Sequence, residues 1–180
     1  MTNYKPHYAC FHCRKAFKRK HLIDLGRQDK SPEKEAKCPN CGLLMADMGL
    51  DFEAPKKDNV KDWAHIKTLY SVGITFHSCG CTGPGYIPNS KDRLISYFEE
   101  VRQEYERNLD FWRQREEPTD RPGIDRDNSK NWRYISRVPY ELRSSRGKGT
   151  VTNEEAKQYW IGRLKEIDHK IAHLNQTEEG

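Results

Sequence analysis

Six cysteines lie within the first 81 of 180 residues, and four of them form two close pairs, Cys10 with Cys13 and Cys38 with Cys41. A two-residue spacer curls the backbone so that both sulfurs turn to one side, and two such turns supply four thiolates in a tetrahedron. That donor set suits Zn2+, whose filled d shell imposes no other geometry; iron is the alternative for the same sulfurs. A catalytic zinc keeps one coordination position open, and four cysteines leave none, so the ion is expected to hold the fold together. In a reducing compartment, cysteines paired this closely read as ligands before they read as disulfides. The last 99 residues have none.

The run Cys38-Pro39-Asn40-Cys41-Gly42 and the turn Cys10-Phe11-His12-Cys13 together resemble the C4 zinc-ribbon superfamily, over roughly residues 4–55. The glycine after the second pair lets backbone N–H groups approach sulfur, whereas Arg14 stands where many ribbons carry glycine. The resemblance implies short hairpins around one bound zinc, and a hairpin that can touch phosphate.

A third group is His77, Cys79 and Cys81. If Ile74 to Cys81 is a strand, the period of two puts all three on one face. They form a candidate second metal site, with His65 or His21 as fourth ligand. Two other readings stay open: small buried residues beside a tight Gly80 turn, or thiol chemistry. Cys-Gly-Cys lacks the two-residue spacer of thioredoxin-type motifs.

Positive charge is concentrated in two stretches. Residues 1–40 carry 10 Lys and Arg against 4 Asp and Glu, and residues 119–150 carry 8 against 4, within a net charge of +5. The first stretch groups Arg14, Lys15, Lys18, Arg19 and Lys20 beside Phe11 and Phe17. The second interleaves Arg126, Lys130, Arg133, Arg137, Arg143, Arg146 and Lys148 with Trp132, Tyr134 and Tyr140. Cations draw in phosphates, and guanidinium and aromatic planes stack on unpaired bases.

Gly147-Lys148-Gly149-Thr150 fails the phosphate-loop pattern, because Gly149 separates lysine from threonine and Leu142 stands where the upstream glycine belongs. Zinc-protease and zinc-deaminase patterns are absent as well.

The elements that must position these groups follow from periodicity. Tyr8 to Phe17 reads as two strands around the first cysteine turn, and Leu43 to Phe52 as a hairpin broken at Gly49. Residues 59–71 suit a short helix stopped by Gly73. Leu94, Phe98, Val101, Tyr105, Leu109 and Trp112 recur at helical spacing over 91–117. Ala156, Trp160, Leu164, Ile167, Ile171 and Leu174 do so over 153–175, behind a Thr152–Glu155 capping box. The two stripes are expected to pack together. Prolines and glycines over 118–131 read as loop.

The core is thin for the length. Leu, Ile, Val and Phe make up 32 of 180 residues, or 18%, so a metal, a partner surface or both are expected to help hold it. No stretch approaches the roughly 18 apolar residues of a membrane helix, and the lysine-bearing start lacks the apolar core of a secretory signal, so a cytoplasmic address is expected.

The sequence therefore predicts an α+β protein: a zinc ribbon at 1–55, a helix–strand extension at 56–88 and a helical region at 89–180 containing a basic loop at 119–150. The function expected is non-catalytic binding of nucleic acid, with structured RNA or the ribosome ahead of DNA. The alternatives are a protein–protein adaptor of a transcription or translation machine, and an enzyme centred on His77, Cys79 and Cys81.

Overall fold

The structure is a computed structural model that describes residues 5–19, 36–77, 83–144 and 151–176. It divides into two compact units, one running to Leu94 and the other spanning Ile95–Gln176. The class is α+β, a small antiparallel sheet followed mostly by helices.

Strands β1 (His7–Cys10), β2 (Lys15–Lys18) and β3 (Ala46–Gly49) form a sheet in the order β2-β1-β3. The β1–β2 hairpin pairs Cys10 with Lys15 and His7 with Lys18, closing around the first cysteine turn. β3 pairs antiparallel with β1, with a register shift between His7 and Tyr8. Alternation along the strands then sorts the side chains onto two faces. Ala9, Ala46 and Met48 join Phe52, Trp63 and Ile66 in one core. Cys10, with Tyr8 and Phe17 beside it, belongs to a second cluster that includes Cys38 and Met45.

Helix α1 (Val60–Ser71) brings Trp63 and Ile66 into the first of these cores, so residues beyond 55 share a core with the sheet. Asn59 caps its start by accepting from the Asp62 N–H at 3.2 Å. It ends in a Schellman motif around Gly73 (φ +81°), with Ile74 N–H donating to Leu69 O and Gly73 N–H to Tyr70 O. The Trp63 indole N–H reaches Lys56 O at 3.2 Å, so burial leaves that donor satisfied.

The expected strand over Ile74 to Cys81 is not seen in its described part, residues 74–77. Phe76 alone ties into the sheet edge, its N–H donating to Met48 O and its carbonyl accepting from Asp51 N–H. Pairing at one residue does not build a ladder, so the alternation there marks an edge contact. Gly49 is required at that contact. Its φ is +90°, and a Cβ there would lie 2.6 Å from backbone atoms of Phe76 and His77.

Helix α2 (Lys91–Gln114), which enters the second unit at Ile95, and α6 (Asn153–Gln176) each have 24 residues, about 36 Å of helix at 1.5 Å per residue. They run antiparallel. Arg102 Nε donates to Asp168 Oδ1 at 2.7 Å, Tyr105 packs on Trp160, and Arg115 Nη1 donates to Asn153 Oδ1 at 2.7 Å. Leu109 and Trp112 from α2 share a core with Ala156 and Trp160 from α6, as the stripes predict. The capping box forms too: Glu155 N–H donates to Thr152 Oγ1 at 3.2 Å, and Thr152 N–H donates back to Glu155 Oε2 at 3.1 Å.

The basic loop expected at 119–150 is, in its described part, largely helical. It contains α3 (Arg121–Lys130), α4 (Trp132–Ile135) and α5 (Tyr140–Ser144). The residues read as breakers are a helix start. Asp120 caps α3 by accepting from the Gly123 N–H at 3.0 Å, and Pro122 sits in the first turn, where its missing N–H is no loss. Gly123 has a further reason to be glycine, since a Cβ there would meet the capping oxygen at 2.4 Å. Ile135 and Val138 from this segment complete the α2–α6 core.

Candidate metal centre and basic surfaces

The Cys10–Cys13 turn closes the β1–β2 hairpin, and the Cys38–Cys41 turn is a tight loop between the bridge pair Lys37 and Leu44. Gly42 N–H donates to Cys38 O at 2.8 Å, and Cys38 N–H to Leu43 O at 2.8 Å. Both turns finish in the left-handed region, at Arg14 (φ +51°) and Gly42 (φ +74°). Arg14 thus adopts the backbone that the glycine position of such a turn requires, and bears the strain an L-residue meets there.

All four Sγ atoms lie within 4.8 Å of one another. Cys10 and Cys41 sulfurs are 3.6 Å apart and Cys13 and Cys38 sulfurs 3.9 Å apart. A tetrahedral ion with metal–sulfur bonds of about 2.3 Å puts its sulfurs about 3.8 Å apart, so the cage has the right size for such a metal. Cys10 and Cys38 are buried, which keeps water from competing for those ligands.

Without a cation, four thiols this close cannot all ionise. Hydrogen bonding to Cys41, with burial behind it, pushes the Cys13 thiol up to about 12. Burial raises Cys10 as well. Burial opposes ionisation of Cys38 too, yet backbone N–H groups of Asn40 and Cys41 bring it down to about 7. The pocket can therefore stabilise the Cys38 thiolate through its backbone, and needs a cation to hold Cys10 and Cys13 as thiolates. A divalent metal supplies that charge and displaces the protons.

Among the described residues, no other cluster of three metal-ligating side chains forms. His77 Nε2 lies 3.6 Å from Asp47 Oδ1. Cys79 and Cys81 lie outside the described residues, as do Lys20, Arg146, Lys148 and the alternative ligand His21.

The structure sorts the cations that composition counted together. In the first stretch, Lys15 and Lys18 are exposed on β2, while Arg14 is half-buried. Arg19 Nη2 donates to Lys37 O at 2.8 Å, tying the two halves of the metal site together. In the second stretch, Arg137 pairs with Glu104, and Arg126, Lys130 and Arg133 are exposed with no acidic partner among the described residues. Arg143 sets its guanidinium over the rings of Trp132 and Tyr140, at 5.9 and 5.8 Å from their centroids. Tyr134, by contrast, is half-buried and stacked on Phe111 at 4.0 Å with the planes 6° apart.

Two features have no simple sequence signal. Arg115 has a side chain only 3% exposed, and donates to Asp127 Oδ2 through Nε at 3.0 Å and Nη2 at 2.7 Å. Leu43 and Leu44, beside the second cysteine turn, are 52% and 58% exposed.

Comparison with protein-family models, curated proteins and solved structures finds no match to this chain. No described helix is long and apolar enough to cross a membrane.

Proposed function

We propose that this chain is a non-catalytic, zinc-stabilised protein that binds nucleic acid, with structured RNA ahead of DNA. Four sulfurs close the coordination sphere, so the ion organises backbone and offers no position to a substrate. Four thiolates around a divalent ion carry two net negative charges, which weaken the pull of the cations of the first stretch on a phosphate. The weight of the reading therefore falls on the second basic region.

The observation that carries it is the contrast within residues 115–143. Arg115, Arg121 and Arg137 each meet a carboxylate, whereas Arg126, Lys130 and Arg133 face solvent with none among the described residues. Uncompensated cations beside exposed aromatic rings match a polyanion that also offers flat faces.

Each phosphate neutralised releases counterions, so log affinity falls with log salt by about 0.7 to 0.9 per contact. With Lys15, Lys18, Arg126, Lys130 and Arg133 all engaged, the slope is about −3.5 to −4.5. Changing Arg126, Lys130 and Arg133 together to Ala removes more than half of it and leaves the metal content unchanged. An anisotropy titration of a structured RNA across salt measures both, and a slope near zero for the wild type would refute the reading.

A protein–protein adaptor is the second reading, and it rests on Leu43 and Leu44. It predicts a nuclease-resistant complex that Leu44→Asp disrupts while the RNA salt slope stays as it was.

A further inference from the structure

The geometry points to Trp132, Tyr140 and Arg143 as a stacking platform that takes an unpaired nucleobase from a single-stranded segment. This inference rests on the nucleic-acid reading and specifies which form of nucleic acid the second basic region takes. Trp132 opens α4 and is 57% exposed; Tyr140 opens α5 and is 69% exposed. The other large rings of this unit are committed elsewhere. Trp112 and Trp160 are buried in the α2–α6 core, and Phe111 and Tyr134 are stacked on each other.

A single exposed aromatic residue calls for no explanation. Two joined through one guanidinium form a defined surface. Arg143 lies over both rings near the outer limit for a cation–π contact, about 6 Å. It meets no carboxylate among the described residues, and its Nε is buried without an acceptor. Arg143 thus acts as a positioning residue, holding two ring planes while leaving each ring open to solvent.

Charge then selects the occupant. Lys130 and Arg133 flank Trp132 in the chain, and Arg126 lies one helical turn before Lys130. Glu141 is the one carboxylate within residues 128–144. A ligand that stacks on the rings and satisfies these cations has flat faces on a chain of negative charges. In a duplex the base faces are covered by their neighbours. In a single strand, or in a loop of a structured RNA, they are open.

The test is fluorescence anisotropy of the full chain with end-labelled U12, dT12 and a 12-base-pair RNA duplex, comparing wild type with Trp132→Ala, Trp132→Phe and Tyr140→Ala. Trp132→Ala is expected to weaken U12 binding roughly 5- to 150-fold, the range for loss of one base–aromatic stack, with an unchanged salt slope because no phosphate contact is lost. Trp132→Phe, which keeps a ring, recovers most of that loss. U12 also quenches the red-shifted emission of the exposed Trp132, and Trp132→Phe abolishes this quenching; the other three tryptophans are buried. A preference for U12 over dT12 assigns the strand to RNA, and equal binding assigns the contact to base and phosphate alone.

The platform is refuted if Trp132→Ala binds U12 as the wild type does, or if the duplex binds as well as U12. It is also refuted if Trp132→Ala disrupts a nuclease-resistant protein complex while leaving U12 binding intact, which would give the rings to a protein partner. If wild type binds strand and duplex alike with a salt slope that ignores Trp132, the platform fails and the nucleic-acid reading survives. Binding to none of the three ends both.

Discussion

Replacing Asp127 with Ala should cost the second unit far more stability than replacing Asp125, two residues earlier on the same helix. Asp127 accepts two hydrogen bonds from Arg115 through Oδ2 and one from Asn131 Nδ2 through Oδ1, at 2.6 Å. The Arg115 guanidinium also lies 4.9 Å from the Trp112 ring centroid, and Asn153 Nδ2 donates to the Arg115 carbonyl at 2.6 Å. One buried arginine therefore joins the end of α2, the middle of α3 and the start of α6. Removing its counterion leaves a charge with 3% side-chain exposure unpaired, and breaking such a pair typically costs about 3–5 kcal/mol.

Asp125 also faces an arginine, Arg121 at 3.5 Å, but the two side chains are 64% and 73% exposed. A pair that open to water contributes at most about 1 kcal/mol. Helix propensity changes equally in the two variants and cancels. For a unit of this size each kcal/mol shifts the melting temperature by about 4–8 °C, so Asp127→Ala should lower it by at least about 12 °C. Two compact units need not unfold together. Hydrogen exchange of peptides from α3 and α6, read by mass spectrometry, isolates the relevant one. The double variant Arg115→Met with Asp127→Leu should recover most of the loss, because it removes the buried charge as well. Equal effects of Asp127→Ala and Asp125→Ala would refute the reasoning.

At the metal centre, the protein should purify with one tightly bound ion per chain, and Cys38→Ser should lose both the ion and amide protection across the β1–β2–β3 sheet; elemental analysis and hydrogen exchange check this, and full metal retention would contradict the four-cysteine site. Gly49→Ala should destabilise the first unit, since its Cβ has no room against Phe76 and His77, whereas Arg14→Gly should stabilise it by up to about 1 kcal/mol by relieving the left-handed strain; thermal melts rank the two against wild type. Burial opposes ionisation of Glu104, but Arg107 and Arg137 outweigh it and hold the carboxyl below 4.5. Its contribution should accordingly be fully present above that value and disappear as pH falls through the lower folded-state value, and Glu104→Gln should flatten that part of an acid denaturation curve.

Local spacing made the cysteine turns and the two long helices legible. A two-residue gap between cysteines fixes chelate geometry within one turn of backbone, whatever the rest of the chain does. Twenty-four residues of helical period leave few alternatives for α2 and α6, and Thr152 with Glu155 marks where the second begins. The same local reading failed at Asp120-Arg121-Pro122-Gly123, because proline and glycine break a helix in its interior but suit its first turn. Nothing local says which of those two positions a residue will occupy. The sheet order lay beyond reach for a different reason: β3 pairs with β1 from 37 or more residues away, through a backbone that carries no sequence label.

Charge shows most clearly what sequence withholds. Arg115 and Arg126 look alike in the sequence, both arginines close to acids. Folding carries Asp127 to Arg115 across 12 residues and Glu104 to Arg137 across 33, and the second pairing removes a cation from the pool that composition had credited to a ligand. Arg19 is diverted in the same way by the Lys37 carbonyl. What survives this sorting is a shorter set, Lys15 and Lys18 on one strand and Arg126, Lys130 and Arg133 beside two exposed rings. An evenly solvated surface would carry its cations and aromatics independently. Among the described residues of the second unit, the two large rings left in water, Trp132 and Tyr140, lie in the same segment as Arg126, Lys130 and Arg133, and the proposed binding surface rests on that coincidence.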